Sequence, residues 1–128
     1  MMLRLLLVTA HKQSLSDFAS SLTECEDVQV SWAASGDEAL EMASENVIDV
    51  VVTDERLGDM TGLELARKLV ALNPVINCAS LSSLSPEAFH EASEGLGLLA
   101  QLPIRPDKKN AEDLLHHLKK IKDLEHGA

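Results

Sequence analysis

Short aliphatic runs alternate five times with longer amphipathic segments, and this alternation constrains the fold more than any other feature of the chain. The first run, at positions 3–8, is aliphatic at almost every position, which is typical of a strand covered on both faces. The next segment places apolar residues such as Phe18 and Leu22 at helical spacing. Strands that alternate with helices predict right-handed crossovers and a parallel sheet.

The rest of the chain repeats this order. Further strands are predicted at 28–33, 47–52, 74–79 and 96–102. Ser35 and Ser85 are expected to cap the second and fourth helices, and Asn110 the last helix. Five such units predict one α/β domain over residues 1–128, built on a doubly wound, five-stranded parallel sheet. We expect the flavodoxin-like strand order 2-1-3-4-5, with helices on both faces.

Charge and hydropathy exclude several classes of function. The formal net charge is −10 and there is no long basic run, so direct binding to nucleic acid is not expected. No segment approaches the ~20 apolar residues that cross a bilayer, so we expect no membrane insertion. Cys25 and Cys78 lie far apart without metal-ligand spacing, as reduced thiols of a cytoplasmic protein do.

Asp54 is the strongest candidate for a functional residue. It directly follows Val50-Val51-Val52-Thr53, so its carboxylate is expected at the carboxyl end of the central strand. An open α/β sheet places its chemistry at that edge. A carboxylate there could act as a nucleophile toward a phosphoryl group, or it could ligate a metal ion.

The segment that begins at Asp54 carries a family resemblance. Positions 54–62 read DERLGDMTG, which resembles the signature D-x-x-[ML]-P-x-M-x-G of response-regulator receiver domains. The matching residues are Asp54, Leu57, Met60 and Gly62, whereas Gly58 replaces the proline. The resemblance implies a CheY-like signalling module of a two-component phosphorelay, with Asp54 as the phosphoacceptor.

The chain departs from the family at the metal-binding acids. By resemblance, two acids after the first strand would hold Mg²⁺, but Thr9 and Ala10 occupy those positions. A hard divalent cation prefers carboxylate oxygen, and Thr9 offers only a neutral hydroxyl. We therefore expect no metal ion and no other cofactor.

A hydroxyl after the fourth strand would, by resemblance, bond the phosphoryl group and carry the switch. Alignment of residues 74–80 with the family places Ala79 at this position, with Ser80 beside it. A shift by one residue would bring in Ser80, but neighbouring strand residues point to opposite faces, so Ala79 is preferred.

The cation and the aromatic switch of the family are also replaced. Leu102, before Pro103, stands where a lysine is expected, and the resemblance implies a cis peptide bond at that proline. A shift to Arg105-Pro106 would restore a cation. Leu99 stands at the position of the switching aromatic residue.

These departures favour an atypical receiver, not an enzyme, which acts through protein–protein contacts with weak or no Mg²⁺-dependent phosphorylation at Asp54. The expected partner is a sensor histidine kinase or another signalling protein. By resemblance, the fourth helix, fifth strand and fifth helix would form the partner face or a homodimer face. A working phosphoacceptor remains the alternative. A flavodoxin-like ligand-binding protein is less favoured, since positions 9–14 contain no glycine and aromatic residues are 2% of the chain.

Overall fold

The computed structural model describes residues 2–125, with side chains as far as Ile121. Its strands are β1 Leu3–Val8, β2 Val28–Ala33, β3 Val50–Thr53, β4 Asn77–Leu81 and β5 Ala100–Leu102. They form a parallel sheet in the order β2-β1-β3-β4-β5. The predicted fold class and strand order are therefore confirmed.

The helices cover both faces of this sheet. They are α1 Ser16–Thr23, α2 Gly36–Glu45, α3 Gly62–Leu72, α4 Pro86–Ala92 and α5 Lys108–Glu125, and a 3₁₀ turn at Lys12–Leu15 leads into α1. Alternate residues of β1 point to opposite faces: Leu5 and Leu7 pack with α1 and α5, whereas Leu6 and Val8 pack with α2 and α3. The two aliphatic core layers hold the carboxyl ends of the central strands in place.

Three strands begin later than predicted. β3 begins at Val50 and not at Val47, whose side chain is 66% exposed. β4 occupies Asn77–Leu81 and not 74–79, because Pro74 has no N–H and the Asn73 side chain bonds the Val75 amide in a turn. β5 begins at Ala100 and not at 96, because Gly97 has a φ of +63°.

Local capping explains where the helices start. Ser35 and Ser85 accept hydrogen bonds from the amides of Glu38 and Ala88, as predicted. The cap predicted at Asn110 was wrong, because α5 begins at Lys108, two residues before it. Asp107 and Asn110 instead bond each other's backbone amides reciprocally, at 3.1 and 2.9 Å.

The remaining global features concern the membrane and the thiols. Within residues 2–125, no helix combines the length and apolar character needed to span a bilayer. Both cysteines are free thiols. Cys78 lies in the core, and burial raises the pKa of its thiol to about 11.

Candidate functional site

Strand register brings Thr9 and Asp54 together. Val8 pairs with Thr53, and the Asp54 amide donates to the Val8 carbonyl at 2.9 Å, so the residues that follow β1 and β3 lie side by side. The Thr9 hydroxyl donates to Asp54 Oδ2 at 2.9 Å. Asp54 therefore stands at the carboxyl end of the central strand, with a neutral hydroxyl against one carboxylate oxygen.

Two neighbouring backbone amides determine which member of this pair donates the hydrogen bond. The His11 amide donates to Thr9 Oγ1 at 3.0 Å, and the Glu55 amide donates to Asp54 Oδ1 at 2.7 Å. A hydroxyl carries one proton, so with a lone pair of Thr9 filled by His11, its proton is directed at Asp54. Thr9 is buried and Asp54 is half-buried, so the group that donates to Asp54 Oδ2 is a buried hydroxyl.

The loop from Asp54 to Thr61 is shaped by two glycines. A Cβ on Gly62 would collide with the Asp54 carbonyl oxygen, while the Gly62 amide donates to the Glu55 carbonyl at 3.0 Å. Gly58 has a φ of +89°, which a proline cannot adopt. The turn at Gly58, which replaces the proline of the signature, therefore has a backbone conformation that a proline could not adopt.

Asp59 ties this loop to the start of α2. Its carboxylate accepts hydrogen bonds from the amides of Gly36 and Asp37, each at 3.0 Å. The Gly36 amide, followed by that of Asp37, lowers the pKa of Asp59 below the ordinary value of 3.8. The signature loop is thus tied to the start of α2 by hydrogen bonds of its own.

Glu55 ties the same loop to the segment between β4 and α4. Its carboxylate accepts hydrogen bonds from the Ser83 amide at 2.8 Å, the Ser83 hydroxyl at 3.1 Å and the Ser82 hydroxyl at 3.2 Å. The Ser83 amide is the main cause of a lowered pKa for Glu55. This role was not predicted from the sequence, although an acid two residues after β3 and two serines directly after β4 were a usable signal.

The observed end of β4 differs from the predicted one, and so does the hydroxyl that first follows the strand. Ala79 and Ser80 both lie inside the strand, and Ser82 is the first residue after it. Ala79 is fully buried in the core layer with α1 and α5, whereas Ser80 faces Gly62 and donates to the Leu81 carbonyl. The predicted strand end at residue 79 was wrong, and Ser82 is the first hydroxyl after the observed strand, whereas the assignment of Ala79 to the hydroxyl position stays a prediction.

The positions considered for the cation and the aromatic switch lie around β5. Leu102 ends the strand and packs into the core, and Leu99 precedes the strand, half-buried against the same core. The β5 side chain that contacts the β4–α4 loop is Gln101, whose amide donates to the Leu84 carbonyl at 2.8 Å. Among the described residues there is no cis peptide bond, so the one implied at Pro103 is not present.

Arg105, the alternative cation, lies beside the β1–α1 loop. It shares with His11, Asp17 and Asp107 the lining of a cleft of about 460 Å³ at this end of the sheet. Asp54 does not line that cleft. The structure therefore brings Arg105 to the correct edge without bringing it into contact with the carboxylate.

The residues near Asp54 do not fit the Mg²⁺ that the resemblance implies. Thr9 supplies a neutral hydroxyl that donates its proton to Asp54, and exposed Ala10 supplies no side-chain oxygen. Across residues 2–121, no three His, Cys, Asp or Glu side chains are grouped to hold a metal ion. The donor set around Asp54 thus lacks the carboxylates that a hard cation prefers.

Comparison with known proteins identifies a family. The family model described as "Response regulator receiver domain" matches residues 5–103, which is more than half of the chain. No curated protein sequence matches the chain significantly.

Solved structures agree in fold. The chemotaxis response regulator CheY4 of Vibrio cholerae has a TM-score of 0.81 at 19% identity, over 92% of this chain and 99% of that chain. A receiver domain protein from Methanospirillum hungatei JF-1 has a TM-score of 0.81 at 23% identity, over 99% and 98%. The receiver domain of an HD domain-containing protein from Pseudomonas fluorescens Pf-5 has a TM-score of 0.84 at 16% identity, over 98% and 93%.

Proposed function

Since the chain belongs to the response regulator receiver family, we propose that it is an atypical receiver of two-component signal transduction. It acts through protein–protein contacts, with little or no Mg²⁺-dependent phosphorylation at Asp54. In this proposal Asp54 keeps the place of the phosphoacceptor, while Thr9 and Ala10 no longer supply the acids that would hold the metal ion.

The observation that carries the proposal is the hydrogen bond of 2.9 Å from Thr9 Oγ1 to Asp54 Oδ2. Transfer of a phosphoryl group to a carboxylate develops negative charge, which cations and hydrogen-bond donors must stabilise. Removal of one preorganised donor typically lowers a rate by about 10²–10³-fold. With the acidic pair replaced and leucine at position 102, phosphotransfer is expected to be slower by several orders of magnitude.

The proposed partners are proteins. A sensor histidine kinase or another signalling protein is expected to bind, and no enzymatic activity of the chain's own is proposed. The acidic surface, with a formal net charge of −10, repels nucleic acid. We propose a cytoplasmic, single receiver-like domain whose α4, β5 and α5 form the partner or homodimer face.

Incubation with acetyl phosphate and Mg²⁺, followed by intact mass, tests this function. We expect neither the wild type nor Asp54→Asn to gain the mass of a phosphoryl group. A gain of one phosphoryl group in the wild type, lost in Asp54→Asn, would contradict the proposal and favour a working phosphoacceptor.

A further inference from the structure

One carboxylate connects the loop after β3 to the loop after β4. Glu55 Oε1 and Oε2 accept hydrogen bonds from the Ser82 hydroxyl and from both the amide and the hydroxyl of Ser83, at 2.8 to 3.2 Å. These partners lie 27 and 28 residues away in sequence. We name this set, Glu55 with Ser82 and Ser83, the Glu55 clasp.

The clasp uses the proton of the hydroxyl that follows β4. Ser82 Oγ accepts from the Leu84 amide at 3.1 Å and donates to Glu55 Oε2 at 3.2 Å. A serine hydroxyl has a single proton, so while it is donated to Glu55 it is not available to a group on Asp54. The first hydroxyl after β4 is thus already engaged by an internal anion.

The loop is also held from the side of β5. The Ser82 amide donates to the Leu102 carbonyl at 2.9 Å, and the Gln101 side chain donates to the Leu84 carbonyl at 2.8 Å. The next residue, Ser85, is the N-cap of α4. Contacts from the loop after β3 and from β5 therefore hold the segment that leads into α4.

The base of the clasp is fixed beside Asp54. The Glu55 amide donates to Asp54 Oδ1 at 2.7 Å, and the Glu55 carbonyl accepts from the Gly62 amide at 3.0 Å. With its backbone held at both ends, the side chain of Glu55 projects from a defined position toward Ser83. Because this acceptor is already held in place, little further conformational entropy is lost when it binds the loop.

We propose that Glu55 is a positioning residue that serves as a built-in anion, holding the β4–α4 loop and the start of α4 in place without phosphorylation at Asp54. This inference rests on the proposed function, since it explains how an atypical receiver presents a fixed face built on α4. It assigns to Glu55 the control of a loop that the family resemblance assigns to a phosphoryl group.

Amide hydrogen exchange of the full chain, followed by NMR, tests the clasp. In Glu55→Ala the Ser83 and Leu84 amides are expected to exchange about tenfold faster or more, because the charged acceptor of the loop is removed. Asp54→Asn should leave both rates within about twofold, since the Oδ1 of asparagine can still accept the hydrogen bond from the Glu55 amide. The matched control Glu41→Ala, which removes an exposed acid on α2, should also leave them unchanged.

Unchanged exchange at Ser83 in Glu55→Ala would overturn the inference, and so would an equally large increase in Asp54→Asn. Trp32 fluorescence and circular dichroism report whether each variant folds, since Trp32 lies on β2, remote from this loop in the sheet order. Should Glu55→Ala not fold, Glu55→Gln, which keeps one acceptor oxygen, is expected to give a smaller increase in the same two rates; no increase would again overturn the inference. Phosphorylation at Asp54 would contradict the proposed function, whereas these exchange rates test the Glu55 clasp separately.

Discussion

The hydroxyl of Thr9 lies 2.9 Å from Asp54 Oδ2 and donates its proton to that oxygen. An acid at position 9 would repel Asp54 unless a cation lay between the two carboxylates. Thr9 instead binds Asp54 directly, so this pair is stable without a metal ion. The geometry therefore links Thr9, which stands where the resemblance implies an acid, to an ordered Asp54 carboxylate.

A double-mutant cycle measures this link. Thr9→Val keeps the shape of the side chain but removes the donor, and Asp54→Ala removes the acceptor. We expect a coupling free energy of about 1 kcal/mol between the two substitutions, because the acceptor is charged but half-buried. Urea denaturation of the wild type, both single variants and the double variant gives this value. Additive free energies of unfolding would show that the bond contributes nothing.

Gly62 and Gly36 should respond differently to alanine. In Gly62→Ala the new methyl group meets the backbone carbonyl of Asp54, which cannot move away freely. In Gly36→Ala it meets the far end of the Met60 side chain, which can change rotamer. We expect Gly62→Ala to lower the free energy of unfolding by about 1–3 kcal/mol and Gly36→Ala by clearly less, as measured by thermal or urea unfolding. Equal effects would argue against this difference in packing.

Stability should fall in acid through Glu55 and Asp59. The pKa of each is lowered in the folded protein, mainly by the Ser83 amide and the Gly36 amide respectively. Their contribution is therefore complete above the unfolded pKa values, near 4.5 and 3.8, and is lost as the pH falls through the lower folded values.

Glu55→Gln and Asp59→Asn test this pH dependence. Each variant should be less stable than the wild type at neutral pH, and the difference should shrink at about pH 3. Urea midpoints at the two pH values give the comparison. A difference that is constant or larger in acid would contradict the assigned cause.

The proposed contact face carries two exposed apolar side chains at its border. Leu84, before α4, is 42% exposed, and Ile104, after β5, is 38% exposed. We expect the wild type to form a concentration-dependent dimer in sedimentation, and the double variant Leu84→Ser, Ile104→Ser to remain monomeric.

The control for this face is Val75→Ser. Val75 is 79% exposed in the turn before β4, at the opposite end of the strands. This variant should dimerise like the wild type. A wild type that is monomeric at all concentrations, or a dimer lost in Val75→Ser, would place self-association elsewhere or exclude it.

The fold was predictable because its signals are local. Aliphatic strands, the serine caps at Ser35 and Ser85 and the position of Asp54 depend on residues close in sequence. The end of β4 was not predictable in this way, since Cys78-Ala79-Ser80-Leu81 consists largely of small residues that fit a strand interior or a strand end. The prediction ended the strand at residue 79, two residues before its observed end at Leu81.

The site was predictable only in part, because its bonds connect distant segments. That Thr9 follows β1 could be inferred, but its bond to Asp54 depends on the register of β1 against β3. The Glu55 clasp joins residues 27 and 28 positions apart and has no local pattern. The hydrogen bond from the Gln101 side chain likewise reaches Leu84, in the loop that follows a different strand, β4.

Restoring acids at positions 9 and 10 tests whether their replacement prevents phosphorylation at Asp54. The double variant Thr9→Asp, Ala10→Asp returns two carboxylates beside Asp54, where a hard cation would find oxygen ligands. The rate of phosphoryl addition from acetyl phosphate in Mg²⁺ is measured by intact mass for this variant and for the wild type. We predict at least about a hundredfold faster addition in the variant, abolished by Asp54→Asn. A wild type that gains one phosphoryl group at Asp54 as fast as the variant would contradict the account.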